Sequence, residues 1–116
     1  MRIAWLSLLT LCFVLNGCCE NEHPAQRLSP DGKWKYVTFQ RTCGATTSAN
    51  FQVSILSASK SAPNEPGNTF IAVVDGTLPV EWVSSRELKI YYPARLRVTK
   101  KESAVGPIHI TYVVAQ

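Results

Sequence analysis

Two patterns divide this chain. From Ile3 to Leu15, apolar residues run for 13 positions, broken only by Ser7 and Thr10. Beyond Ser29 they recur in short bursts that alternate with polar residues, and no 3.6-residue apolar period persists for three turns. Alternation with period two marks strands with one covered face. Lys33 to Arg41 places Trp34 and Tyr36 on one face and Val37 and Phe39 on the other, which predicts a strand covered in part on both faces. Phe51, Val53 and Ile55 alternate with Gln52 and Ser54 in a second strand. Phe70 to Val74 is a continuous apolar run, expected to be a buried strand, and Asp75-Gly76 closes it. Val80 to Val83 makes a brief fourth segment. Leu88, Ile90 and Tyr92, then Leu96 and Val98 beyond Pro93-Ala94, predict a hairpin. Ile108 to Val114 supplies the last strand.

The punctuation agrees with this pattern. Ser29-Pro30-Asp31-Gly32 has Ser, Pro and Gly at the first, second and fourth positions of a type I turn. Cys43 to Asn50 is small and polar and predicts a loop. Ala58 to Asn68 is a long connection with two Pro and two Asn. Glu20 to Leu28 is polar, with one Pro and no apolar period, and predicts a spacer outside the fold. The expectation is an all-β domain, a small antiparallel sandwich or barrel of six to seven strands.

Composition narrows the function classes. The chain has 116 residues, 46% of them hydrophobic and 17% charged, which excludes a disordered or fibrous protein and leaves room for one domain. Rossmann, barrel and multidomain enzymes do not fit. The net charge is +4, and without Arg2 there are 11 basic and 8 acidic residues, a balance of +3 with no nucleic-acid signature.

Met1-Arg2, the apolar run and small Gly17 form a signal-peptide layout, and 13 apolar residues are too few to span the roughly 30 Å core of a bilayer. Leu15-Asn16-Gly17-Cys18 resembles the bacterial lipobox. That resemblance implies cleavage before Cys18 and a diacylglycerol thioether on its sulfur, with palmitate-type chains holding the mature protein to a membrane. The implied organisation is a signal peptide over 1–17, a lipidated tether over 18–28 and a single β domain over 29–116. Cys19 is not the Asp that usually retains lipoproteins at the inner membrane, so the resemblance favours the outer membrane in a Gram-negative cell. The alternative is a soluble secreted or periplasmic protein.

If Cys12 leaves with the signal and Cys18 carries lipid, Cys19 and Cys43 are the two cysteines that could pair in an oxidising envelope. The alternative is a structural thiol at Cys43. Cys43-Gly44-Ala45-Thr46-Thr47 also invites a thiol-enzyme reading, a nucleophile beside backbone N–H donors, but no base is evident. His23 falls in the spacer and His109 has an outward strand phase. No cofactor is expected, and no metal: Cys18 to His23 is rich in ligands, but a thioether supplies no thiolate and no CxxC pair completes a shell.

Lys89, Tyr91, Arg95, Arg97 and Lys101 share the predicted outer phase of the hairpin. Such a surface could bind phosphate groups of lipids or wall polymers, or could simply be a solvated face that discourages edge pairing. Trp34 and Trp82 read as core, Asp31, Asp75 and Glu81 as turn residues. The Pro63 to Asn68 loop is a candidate partner contact.

Ser29-Pro30-Asp31-Gly32-Lys33-Trp34 and the Val80 to Ile90 segment look like units of TolB-type propeller blades, but two such units cannot close a propeller. More closely, the Ser29 to Gly32 turn, Phe39-x-Arg41-x-Cys43-Gly44-Ala45-Thr46-Thr47, Val53 to Leu56 and Pro63-Asn64-Glu65-x-Gly67-Asn68 resemble a group of small bacterial proteins of uncharacterised function. That likeness implies a compact bacterial domain and no catalytic residue. The expected protein is a noncatalytic envelope lipoprotein, held by its lipid and contacting an envelope protein or an anionic polymer.

Overall fold

A computed structural model describes residues 19–116. The domain is all-β, with nine strands among the described residues: β1 (Glu20–Leu28), β2 (Trp34–Thr42), β3 (Asn50–Ser57), β4 (Phe70–Val73), β5 (Val80–Ser84), β6 (Glu87–Pro93), β7 (Arg97–Lys101), β8 (Ala104–Val105) and β9 (Ile108–Ala115). They form a five-stranded sheet, ordered β1-β2-β3-β4-β7, and a four-stranded sheet, ordered β5-β6-β9-β8.

Period-two alternation builds the core between the sheets. Tyr36, Phe51, Val53, Ile55, Phe70 and Ala72 face inward from the five-stranded sheet, and Leu88, Ile90, Tyr92, Ile108 and Ile110 from the four-stranded one. Burying such side chains contributes roughly 1.5–3 kcal/mol each. The opposite face of β2 and β3 is covered as well. Val37, Phe39 and Leu56 form a second apolar cluster, beside which Gln52 and Ser54 are buried.

The long connection Ala58 to Thr69 supplies hydrogen-bond partners for this face. Gly67 N–H donates to Gln52 Oε1 at 2.7 Å, and Asn68 N–H to Ser54 Oγ at 3.0 Å. The Asn68 amide pairs with the backbone of Ile55, accepting from its N–H at 2.8 Å and donating to its carbonyl at 2.9 Å, so one side chain extends the ladder where no strand does. Gly67 lies so close to β3 that a Cβ there would stand 2.8 Å from the carbonyl oxygen of Val53.

The Ser29 to Gly32 turn forms as the sequence predicts. Gly32 N–H donates to the Ser29 carbonyl at 2.8 Å, and Asp31 Oδ1 accepts from Ser29 Oγ at 2.7 Å and from Lys33 N–H at 3.1 Å. These bonds hold the Asp31 carboxyl below its ordinary range, the Ser29 hydroxyl being the larger cause.

Three expectations change. Glu20 to Leu28, expected as a spacer, is β1, antiparallel to β2 from Glu20 opposite Thr42 to Leu28 opposite Lys35, with an irregularity between Glu22 and Ala25. The expected Leu88 to Val98 hairpin does not form. β6 and β7 belong to different sheets, and β6 pairs in parallel with β9, Leu88 opposite Ile110. Alternation persists across a turn whether the chain doubles back or crosses to the other sheet, so the pattern does not distinguish the two. The Phe70 to Val74 run is covered chiefly on one side: Phe70 and Ala72 are buried and Val73 is exposed.

Candidate interaction surface

The segment expected to direct export, and Cys18, lie outside the described residues. The first described residue, Cys19, is joined by a disulfide to Cys43, one position beyond the Glu20–Thr42 rung that begins the β1–β2 ladder. On the chain-entropy model, closing a loop of this length contributes about 3.5 kcal/mol. In this state the Cys43 sulfur holds no thiolate. Its loop is fixed locally by Thr47 Oγ1, which accepts from Cys43 N–H at 2.8 Å.

Beside the disulfide is a polar cluster that the sequence did not announce. Asn21 receives Arg41 Nη1 on its Oδ1 at 2.7 Å and donates Nδ2 to the Glu65 carbonyl at 2.8 Å. Asn64 accepts Asn21 N–H at 3.1 Å and Arg41 Nη1 at 3.2 Å on its Oδ1, and donates Nδ2 to the Cys19 carbonyl at 2.9 Å. The Pro63 to Asn68 loop, a candidate partner contact, thus faces inward to β1 at Asn64 and Glu65 and to β3 at Gly67 and Asn68. The cluster joins three segments, with Asn21 and Asn64 lying 43 positions apart, and no spacing rule connects them.

The five residues expected to form one basic surface are divided between the sheets. Lys89 and Tyr91 sit on the outer phase of β6, where Lys89 is opposite Glu81 and Tyr91 donates its hydroxyl to Glu81 Oε1 at 2.5 Å. That bond raises the Tyr91 phenol pKa, the Glu81 carboxylate being the first cause. Arg97 is exposed on β7 opposite Val73, and Arg95 is exposed in the connection between the sheets. Lys101 is turned the other way. An irregularity between Ile71 and Ala72 pairs Ala72 with Val98 but Ile71 with Lys100, so Lys101 falls opposite inward-facing Phe70. Its ammonium lies 4.9 Å from the Tyr112 ring centre and 5.6 Å from that of Tyr92. Tyr112 donates to the Glu102 carbonyl at 2.6 Å, and burial first, then Glu102, raises its phenol pKa.

Other candidates serve the fold. Trp34 and Trp82 pack against the core, and Trp82 Nε1 donates to the Arg27 carbonyl at 3.1 Å, tying the four-stranded sheet to β1. Tyr36 donates across the same seam to the Val80 carbonyl at 3.1 Å. His23 has φ of 53° at the β1 irregularity, and His109 Nδ1 lies 3.1 Å from the Ser103 carbonyl. Asp75 is exposed in the turn after β4. Among the described residues, no group of three or more His, Cys, Asp or Glu could hold a metal ion, and no helix is long and apolar enough to cross a membrane.

β1 is hollowed on both faces. On the outer side a groove of about 370 Å³ runs between Glu20, Asn21 and Pro24, the loop at Ala62 to Asn64, and a floor of Val37 and Phe39. On the inner side a hollow of about 290 Å³ lies beneath Ala25 to Arg27, and another of about 500 Å³ opens between Arg27, Leu28, Val80 and Trp82. Compared with known proteins, the chain matches no family model, no curated protein and no solved structure.

Proposed function

We propose that this chain is a cell-envelope lipoprotein, anchored through lipid on Cys18, whose β domain acts without catalysis as a membrane-held binding or interaction module. Its role is in envelope maintenance, assembly or inhibition of an external enzyme, through contact with an envelope protein. The carrying observation is a disulfide one residue after the Leu15-Asn16-Gly17-Cys18 motif. A structural disulfide suits an exported domain, and the motif suits an exported domain that stays at a membrane. With β1 starting at Glu20, the anchor and disulfide-fixed Cys19 are separated by one peptide, about 3.8 Å between Cα atoms. The folded domain then rests against the bilayer surface.

The test is the intact mass of the native protein from the membrane fraction, with a Cys18→Ala variant beside it. A diacyl or triacyl increment on a chain beginning at Cys18, lost in the variant together with membrane retention, supports the reading. An unlipidated chain of the same fractionation overturns it. Arg95 and Arg97, both exposed and two positions apart, favour a second reading in which the domain binds an anionic wall polymer. Charge reversal at both should then abolish a salt-sensitive binding to that polymer, and salt-insensitive binding would exclude it.

A further inference from the structure

β1 differs from every other long strand in what holds it. It contributes no residue to either apolar cluster, and eight of its nine residues are exposed, Asn21 alone being partly covered. Leu28, its one large apolar side chain, is 54% exposed. Hollows lie on both of its faces. The ladder to β2 is interrupted between Glu22 and Ala25, where His23 takes positive φ. Strands remain in sheets mainly through side-chain burial, because ladder hydrogen bonds replace bonds to water at small net gain. By that measure β1 is weakly retained, and what fixes its start is the Cys19–Cys43 disulfide with the adjoining Asn21, Asn64 and Arg41 cluster.

We propose that the Cys19–Cys43 disulfide is a redox latch on a detachable strand. In the oxidised protein β1 is docked on β2. When a dithiol reductant attacks, two electrons and two protons pass to the bridge: the S–S bond breaks, Cys19 and Cys43 become thiols, and the reductant leaves as its own disulfide. The entropic restraint on β1 is then gone, and nothing apolar replaces it. The strand detaches while the two-sheet core, which uses none of its side chains, stays folded. The sequence and the structure are reconciled in this way, since the polar, aperiodic composition of a spacer is what a strand needs if it must also exist in water. Resting on the lipid-anchor reading, a further consequence is a change of reach. Nine residues of β1 released as extended chain span up to about 30 Å, so reduction converts a domain seated on the bilayer into one on a flexible spacer.

The test is amide hydrogen exchange on the native protein as isolated, oxidised and after treatment with dithiothreitol. On reduction, the β1 amides that bond to β2 should exchange about 100-fold faster or more, while the protected amides of β3, β6 and β9 keep their protection. A Cys43→Ser variant, never oxidised at this position, should show the reduced pattern without reductant. Unchanged protection of β1 on reduction would overturn the latch, because the ladder alone would then hold the strand. Loss of protection throughout the domain would overturn it equally, because the bridge would be a global staple. Intact mass on the same sample separates the two readings: a chain without acyl groups removes the change of reach but leaves the exchange result standing.

Discussion

β1 and β3 are both partners of β2, and they are held to it by different forces. β3 is buried at six consecutive positions, Phe51 to Leu56: one face enters the core between the sheets, and the Ala58 to Thr69 connection covers the other. β1 is exposed almost throughout and is fixed at its ends, by a covalent bridge and a polar cluster at Cys19 to Asn21 and by the Trp82 indole at Arg27. A sheet position therefore says little about how strongly a strand is retained. What decides it is whether apolar area leaves water when the strand docks, since ladder hydrogen bonds are nearly balanced by the water bonds they replace.

This contrast can be broken at several points, and the largest effects belong on the β3 side. Phe70 is fully buried beside Val53, its partner on β3, and its ring lies 5.4 Å from that of Tyr92. Phe70→Ala should lower unfolding free energy by about 3–5 kcal/mol in urea titration, with loss of the whole domain in one transition. The covering connection comes next. Gly67→Ala places a methyl against the Val53 carbonyl and should cost about 1–3 kcal/mol, as should Asn68→Ala, which leaves the backbone of Ile55 without its side-chain partner. If either is silent, the connection is a loose flap and the double burial of β3 is not a source of stability.

On the β1 side the same measurements should give small numbers. Trp82→Phe removes the indole donor to the Arg27 carbonyl and should cost about 1 kcal/mol, read more clearly as faster exchange near Leu28 than as a lower melting temperature. Leu28→Ala should stay within about 0.5 kcal/mol of the parent, because the side chain is mostly in water already. A cost of 2 kcal/mol or more at Leu28 would show that β1 is held by burial after all. The least effect is expected from Asp31 in the turn joining the two strands. Its folded pKa is depressed below 3.8, so its contribution is complete above that value and is lost as pH falls through the folded pKa. Parent and Asp31→Asn should therefore converge in acid, checked by thermal unfolding between about pH 2 and pH 6.

The strands that bury apolar residues were legible because alternation is written in the residues themselves. β2, β3, β6, β7 and β9 follow from it, as do the two faces of β2, whereas β4 follows from a continuous apolar run, β5 from a brief segment beside it, and the Ser29 to Gly32 turn from its residue order. β1 was not, because a strand that touches no core leaves no periodic trace, and the two-residue β8 is too short to show one. The expected basic surface failed for a related reason. A phase counted along the chain survives neither the crossing between sheets at Pro93 to Leu96 nor the irregularity before Lys101. The Asn21, Arg41 and Asn64 cluster joins three distant segments and had no local signature.

By itself, then, the amino-acid sequence determined an all-β domain, its inward-facing residues and the short motif before it, since each of these depends on side-chain type at neighbouring positions. Tertiary structure alone decided the parallel pairing of β6 with β9 and the docking of a polar strand on β2. Those depend on backbone partners far apart in the chain, and backbone hydrogen-bonding groups are nearly the same at every residue, so their choice of partner is settled only when the whole fold closes.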